Sequence, residues 1–362
     1  MRIIIAASAA LFALFASAAA QEYLDAYKAY NAALERGDRA AAVDAAERAW
    51  RAAEKELGDD ATTAVLAFNY LGLIAYSDVS RAEEPARRVD ELLSSFGDDL
   101  PADDARAIVA WAAYANSEKR TRDARAFRKS LIDIDRDNPT PSFDLTRAWM
   151  SLTSTLFRAG NNRSAVAASE RAEELLEAVE PEAARAKAEI YYFRSAARLL
   201  GDPSSRLAAI RSHEDIEFAR TLLPSQPSLD DFDQLVVDAA AWDAALHAVA
   251  RTRSFDIGSK YAADIPPIFK RSAERGACEL NWDDRSPPDY PPKAGRRGYI
   301  GAVLIGFDVD EVGVSRAKIL AEVPSPYFGE AALIAVERWR LKTPPPEKCR
   351  RDHVTQFVFA FP

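Results

Sequence analysis

Apolar residues recur at helical spacing along most of the chain. In the first example the spacing i, i+3, i+4, i+7 and i+11 is occupied by Tyr23, Ala26, Tyr27, Tyr30 and Leu34. Such a series lies on one face of a helix. Alanine and arginine dominate from residue 22 to about 276. The pattern predicts consecutive helices over this range, including 225–276, where Trp242, Leu246 and Val249 share a face.

Helix-breaking residues interrupt this pattern at two alternating sets of positions. Turns within helical pairs are predicted at Gly37-Asp38, Asp78-Ser80, Lys119-Thr121, Gly160-Asn161 and Gly201-Asp202. Breaks between pairs are predicted at Gly58-Asp59-Asp60, Gly97-Asp98, Asn138-Pro139, Glu180-Pro181 and Leu223-Pro224. The period of roughly 40 residues is typical of a helical repeat. We expect about five helical pairs, with 225–276 as a cap.

The second helix of the first pair is rich in small residues. Its apolar face carries Ala42, Ala45, Ala46, Ala49 and Trp50. Small residues opposite the aromatic side chains of the first helix resemble tetratricopeptide repeats, most clearly in 40–53 and 162–176. The period is longer than is usual for that family. An alanine-rich helical bundle of no repeat family is the alternative.

The composition changes after Cys278. Pro287-Pro288 and Pro291-Pro292 predict an extended segment, because proline resists helix. Gly301–Asp310 then alternates, with Val303, Ile305, Phe307 and Val309 pointing one way, and predicts a strand.

A hairpin and a second strand are predicted next. Asp310 to Gly313 forms the turn, with Gly313 supplying a positive φ. Val314–Val323 alternates again, and its buried face is predicted to carry Ala317, Ile319 and Ala321.

A helix and a third strand complete this segment. The apolar stripe of the helix comprises Phe328, Ala331, Ala332, Ala335, Val336 and Trp339. The last run, His353–Phe361, alternates with Phe357, Phe359 and Phe361 inward. The predicted fold is therefore multidomain: an all-α, tetratricopeptide-like helical-repeat array in 21–276, followed by a small α+β domain of β-β-α-β order in 277–362.

Several short motifs of the C-terminal domain occur in the order of a known family. They are Tyr290-Pro291-Pro292-Lys293-Ala294, Gly301-Ala302-Val303, Phe307-Asp308-Val309-Asp310 with Gly313-Val314, Ala331-Ala332-Leu333 and Arg338-Trp339-Arg340. In this combination the segment resembles the C-terminal domain of TonB-type energy transducers.

The resemblance implies a way of binding partners. Domains of that family bind a segment of a TonB-dependent outer-membrane receptor as an added strand at a sheet edge. The resemblance implies that this edge is Val354 to Phe361. It lies beside the extended segment at Tyr290-Pro291, here called the entry segment. The partner-binding residues expected on this basis are Tyr290, Pro291, Val354, Gln356, Val358 and Ala360. The phenylalanines of the strand can still be core residues, because edge pairing uses the backbone.

The N-terminus predicts export from the cytoplasm. Arg2 is followed by uncharged residues up to Ala20, with Ala18-Ala19-Ala20 before Gln21. A short apolar segment with small residues at its end is typical of a signal peptide. We therefore expect 1–20 to be a signal peptide and the protein to be periplasmic. The alternative is a short inner-membrane anchor, which would give the only membrane contact.

The net charge argues against one class of partner, and the cysteine count predicts a disulfide. A net charge of −9 argues against nucleic acid as a partner, because phosphate binding needs a basic face. Cys278 and Cys349 are the two cysteines. An even pair in an exported protein favours a disulfide, which would close a loop of about 70 residues. Two unpaired thiols are the alternative.

Nothing in the sequence favours catalysis, a cofactor or a metal. The three histidines are His213, His247 and His353. Charged neighbours predict that His213 is solvated on an exposed helix, and apolar neighbours predict that His247 packs between helices. No phosphate-binding loop, nucleophile elbow or metal-ligand spacing is present.

Two functions are consistent with this sequence. The first is a periplasmic TonB-like protein that binds outer-membrane receptors or envelope partners in support of transport. The alternative is a helical-repeat scaffold with no role in energy transduction. Residues 3–20 lack the histidine that TonB-type transducers carry in their membrane helix, and no long proline-rich linker precedes the C-terminal domain. Both departures weigh against direct energy transduction.

Overall fold

The computed structural model describes residues 20–117, 120–226, 231–258, 260–261, 265, 268, 278–296, 299–323 and 326–359. Residues 1–19, which hold nearly all of the predicted signal peptide, lie outside these ranges, as do Lys119, Ala360 and Phe361.

Eleven helices precede the C-terminal domain in the described residues. They are α1 Ala20–Glu35, α2 Arg39–Leu57, α3 Ala61–Ile74, α4 Val79–Phe96, α5 Ala102–Ala115, α6 Arg120–Arg136, α7 Phe143–Arg158, α8 Asn162–Val179, α9 Ala184–Gly201, α10 Arg206–Thr221 and α11 Gln234–Thr252. The helices begin and end where the sequence places the breaks, which confirms the predicted helical array. The even-numbered helices from α2 to α10 start 40 to 44 residues apart.

Polar residues define several helix starts. Asp38 accepts a hydrogen bond from Ala41 N–H at the start of α2, and Asp60 accepts one from Thr62 N–H at the start of α3. These side chains satisfy backbone donors that the first helical turn leaves unpaired. The breaks between helices are therefore local stop and start signals.

The chain forms two compact units, one ending at Ala148 and one beginning at Trp149. In the first unit the alanine face of α2 is fully buried against the aromatic face of α1, as predicted. Trp50 stacks on Tyr70 of α3, with ring centroids 5.5 Å apart. The second unit joins the last helices to the C-terminal domain. The boundary predicted at 276–277 rests on composition and stays a prediction.

The helix predicted over 225–276 is shorter than expected. Only Gln234–Thr252 is helical in the described part of this range. Ser254 and Gly258 adopt positive φ values of 55° and 67°, which an α-helix does not allow. The three residues predicted on one face, Trp242, Leu246 and Val249, are all buried.

The C-terminal domain contains a three-stranded antiparallel sheet and a second, smaller sheet. Its elements are β1 Trp282–Asp284, α12 Pro292–Gly295, β2 Gly301–Val309, β3 Val314–Val323, α13 Gly329–Glu337, β4 Arg340–Leu341 and β5 His353–Phe359. The larger sheet has the order β3-β2-β5, and β1 pairs with β4. The β-β-α-β core is thus confirmed. Pattern analysis missed β1, β4 and α12 because each is only two to four residues long.

Both faces of the larger sheet are covered. Val303, Ile305 and Phe307 pack towards α13, in a core that also includes Trp339 and Phe359. Ala302 and Leu304 point to the opposite face and pack with α11. A sheet buried on both sides explains why β2 has almost no exposed residue.

The predicted inward face of β3 is wrong at one position. Leu304 pairs with Ala321, but its neighbour Ile305 pairs with Ile319. Leu320 is therefore the extra residue of a β-bulge, which changes the face that the following residues present. Ala321 packs with the α11 cluster, and Ile319 is 40% exposed.

The hairpin turn uses glycine for a different reason from the predicted one. Gly313 is not among the residues with positive φ. A Cβ atom at this position would lie 2.3 Å from the carbonyl oxygen of Trp339, so any side chain would clash with backbone. Asp310 accepts hydrogen bonds from the N–H groups of Val312 and Gly313, which lower the pKa of its carboxyl.

Cys278 and Cys349 form a disulfide, as predicted. The bond connects residues 71 positions apart and encloses most of the C-terminal domain. Among the described residues, no helix has the length and apolar character needed to span a bilayer.

Candidate functional site

The strand β5 lies at one edge of the larger sheet. It pairs with β2 over seven consecutive residue pairs, from Gly301–Phe359 to Phe307–His353, without a register shift. In the part of the chain that the structure describes, no strand pairs with its other side. A regular, unpaired edge presents a row of backbone donors and acceptors to a partner.

The register identifies which residues direct their backbone groups outward. Val309 N–H donates to Arg350 O, so Val309 points to the β5 side of the sheet. Backbone groups alternate sides along a strand, and paired residues of a hydrogen-bonded antiparallel pair point at each other. The residues of β5 that point at β2 are therefore His353, Thr355, Phe357 and Phe359. The N–H and C=O groups that point outward belong to Val354, Gln356 and Val358.

The opposite edge of the sheet is less suited to pairing. Two register shifts interrupt the pairing of β3 with β2. The strand also carries the charged residues Arg316, Lys318 and Glu322, whereas β5 has no charged side chain from Val354 to Phe359. Bulges and charges are the usual protection of a sheet edge against strand addition. Among the described residues, the edge of this sheet that suits strand addition is therefore that of β5.

The side chains of the outward-pointing residues face α11. Val354 and Val358 are partly buried against the helical cluster, and Gln356 is exposed and lines a pocket beside α11. A partner strand would therefore meet mostly backbone at these three positions. Phe357 and Phe359 pack in the core on the other face, as predicted.

The entry segment lies beside the end of β5. The ring of Tyr290 contacts Phe328 and Phe359, with centroid distances of 5.8 and 6.0 Å. Its hydroxyl donates to Tyr299 O, and burial raises the pKa of this phenol, which keeps it a donor. Pro291 immediately precedes α12. The sixth predicted residue, Ala360, lies outside the described residues. A binding role for the six residues stays a prediction.

The histidines do not occupy the predicted environments. His213 is 1% exposed, so the expectation of a solvated residue is wrong. His247 lies between α10 and α11 as predicted only in part: its ring packs edge-on against that of His213, but its side chain is 47% exposed. His353 Nε2 lies 2.8 Å from Cys349 O, and its ring stacks on Phe307. Sequence reasoning missed that Asp243 lies beside both His213 and His247.

The C-terminal domain is the part of the chain that is similar to a known protein family. Among curated proteins, none matches the chain. The helical region agrees with the repeat-like array expected from the sequence. The edge strand β5 lies within the segment matched by the family named next. Residues 286–361 match the family described as the Gram-negative bacterial TonB protein C-terminal, so this part of the chain is similar to the C-terminal domain of TonB proteins.

Proposed function

We propose that this protein is a periplasmic TonB-like protein whose C-terminal domain binds an extended segment of a TonB-dependent outer-membrane receptor along the edge of β5. The observation that carries the proposal is the open, uncharged and regular edge at Val354, Gln356 and Val358. The family match supports the same assignment, because proteins with this domain bind envelope proteins. We expect no enzymatic activity.

Strand addition would use the outward backbone groups. Each added residue pair contributes main-chain hydrogen bonds, and side chains of the partner add selectivity. Tyr290 lies at the end of the same edge, where its ring can contact a partner side chain. The covered face of the sheet holds β5 in place, so the partner meets an edge that is already ordered.

The test is a proline substitution that removes an outward donor without removing a bond to β2. In Gln356→Pro the lost N–H points away from β2, and the side chain it replaces is exposed. Proline is tolerated at such edge positions. The matched control is Gln356→Ala, which removes the same side chain and keeps the N–H group.

The assay is a pull-down from solubilised outer membranes of the organism that encodes the chain, read by mass spectrometry. We expect TonB-dependent receptors to be enriched by the wild type and by Gln356→Ala, and lost with Gln356→Pro. Equal capture by the proline variant, or no receptor with the wild type, would contradict the proposal. Far-UV circular dichroism of both variants checks that the fold is retained.

A second function, that of an adaptor, is favoured by one observation. Helix α11 packs on β2, β3 and β5, so the last helices and the C-terminal domain form one compact unit. A domain fixed to a helical array suits a scaffold that holds a second partner better than a long-range transducer. Mass spectrometry of the mature N-terminus separates the two: a start at Gln21 excludes a membrane anchor, and a retained Met1 favours transduction.

A further inference from the structure

Three side chains with metal-ligating atoms meet between α10 and α11. His213 Nε2 lies 3.2 Å from His247 Nε2 and 3.3 Å from Asp243 Oδ1. His247 Nε2 lies 3.8 Å from the same oxygen of Asp243. Asp243 and His247 are four residues apart and share one face of α11, while His213 comes from α10.

The size of this triangle fits a tetrahedral transition-metal ion. Zinc binds histidine nitrogen and carboxylate oxygen at about 2.0–2.2 Å, which places neighbouring ligand atoms about 3.3–3.6 Å apart. Of the three observed separations, 3.3 Å lies within that range, and 3.2 and 3.8 Å lie close to its limits. The histidines and the aspartate therefore need little movement to surround one ion.

The burial of Asp243 is a second observation that favours a cation at this position. This residue is 6% exposed, and its buried Oδ1 atom accepts no hydrogen bond of good geometry, although His213 Nε2 lies 3.3 Å away. Its other oxygen, Oδ2, accepts a hydrogen bond from Arg220 Nη1. A buried carboxylate oxygen with only such poorly aligned contacts is costly, and a cation placed between the two imidazoles would satisfy it.

The surroundings match a metal site with one open position. Arg220 holds the aspartate in place from behind, as outer-shell partners of metal ligands do. His247 borders a pocket of about 270 Å³, which is also lined by Arg251, Gln356 and Val358. A fourth ligand, water or a partner group, can enter from this side. Glu217 is also buried. Its Oε1 atom lies 3.9 Å from His213 Nε2 and adds negative charge near the three ligands.

We propose that His213, Asp243 and His247 bind one divalent transition-metal ion of the zinc type, with the fourth position open to the pocket beside β5. Two imidazoles and one carboxylate select zinc, nickel, cobalt or copper over magnesium and calcium, which prefer all-oxygen sites. The ion would connect α10 to α11 at the pocket that Gln356 also lines.

The experiment uses the full chain, purified without a polyhistidine tag and stripped with a chelator. Zinc chloride is titrated by calorimetry, and cobalt chloride is titrated with visible absorption as the readout of tetrahedral coordination. We expect one equivalent of zinc to bind and to raise the melting temperature, with no comparable effect of calcium chloride. Zinc without a defined stoichiometry, or a calcium effect of equal size, would overturn the proposal.

Variants locate the site. His247→Ala removes a half-exposed ligand and should fold, and it should weaken zinc binding by more than the roughly 10- to 100-fold expected for an outer-shell partner. Arg220→Gln should fall within that range. His353→Gln removes the remaining histidine of the chain and should bind zinc like the wild type. Equal zinc affinity of His247→Ala and the wild type would refute the assignment. Circular dichroism confirms that His247→Ala is folded.

Discussion

Replacing Trp339 by alanine should strongly destabilise the C-terminal sheet. The side chain is 1% exposed, and its ring meets those of Trp282, Phe307 and Phe357 with centroid distances of 5.2, 5.8 and 5.7 Å. Its Nε1 atom donates to Ser286 O at 2.9 Å. One residue therefore connects β1, β2 and β5 to the entry segment.

The size of the effect follows from burial. Removing a fully buried tryptophan side chain costs about 3–5 kcal/mol of unfolding free energy, because a cavity remains among the aromatic rings. Trp339→Phe keeps a ring in this space. It loses one hydrogen bond worth about 1 kcal/mol, to an acceptor on an exposed residue that water can reach. Because the phenylalanine ring is also smaller, we expect Trp339→Phe to lose about 2 kcal/mol of unfolding free energy in total.

Native-state hydrogen exchange with mass spectrometry measures this locally. Amides of β2 and β3 should exchange roughly 100- to 5,000-fold faster in Trp339→Ala, since each 1.4 kcal/mol is a factor of ten. Trp50→Ala is the matched control. It removes an equally buried tryptophan whose contacts lie in the first compact unit, so the protection of β2 should not change.

Two results would refute this reasoning. One is a loss of less than about 1 kcal/mol in Trp339→Ala, which would mean that the rings close over the space without cost. The other is equal loss in the alanine and phenylalanine variants. In that case the hydrogen bond to Ser286, and not the buried ring, would hold the sheet together.

Three further predictions concern other parts of the chain. Replacing both Cys278 and Cys349 by serine opens a loop of 71 residues and should lower the unfolding free energy by about 4 kcal/mol in urea titrations; a reductant should have the same effect on the wild type and none on the variant. Arg194→Met leaves the buried Asp215 with fewer charged donors and should lower the unfolding free energy by about 3–5 kcal/mol in the same assay. Adding Asp215→Asn should recover part of this loss, and no recovery would contradict a charge effect. Burial raises the pKa of Asp104 to about 6, so its contribution to stability is greatest below pH 4 and declines as the pH rises through 6. Thermal unfolding across pH 4–7 should show that Asp104→Asn lacks this decline and gains up to about 3 kcal/mol at pH 7; parallel curves for both proteins would contradict it.

Local signals were sufficient to locate most elements. The helical breaks at Gly37, Gly58 and Gly160 coincide with residues of positive φ, which glycine adopts at little cost. Alternation along 301–310 and 353–359 identified β2 and β5, because a half-buried strand repeats every two residues. These properties depend on near neighbours in the chain and can be read without a structure.

The bulge at Leu320 could not be predicted from the pattern. Ile319, Leu320 and Ala321 are all apolar, so alternation does not tell which of them is the extra residue. Pairing with β2 determines it, and only the folded sheet contains that pairing.

By itself, the sequence determined the helical array, the β-β-α-β core and the disulfide pair, since periodicity, breakers and an even cysteine count are properties of the chain. The tertiary structure decided that α11 covers one face of the sheet and that β5, within the described ranges, has no strand on its outer side. It also decided that His213 meets Asp243 and His247. These contacts join residues that are far apart in sequence. Their formation depends on how amphipathic faces pack, and the periodicity of a single element carries no information about its partner.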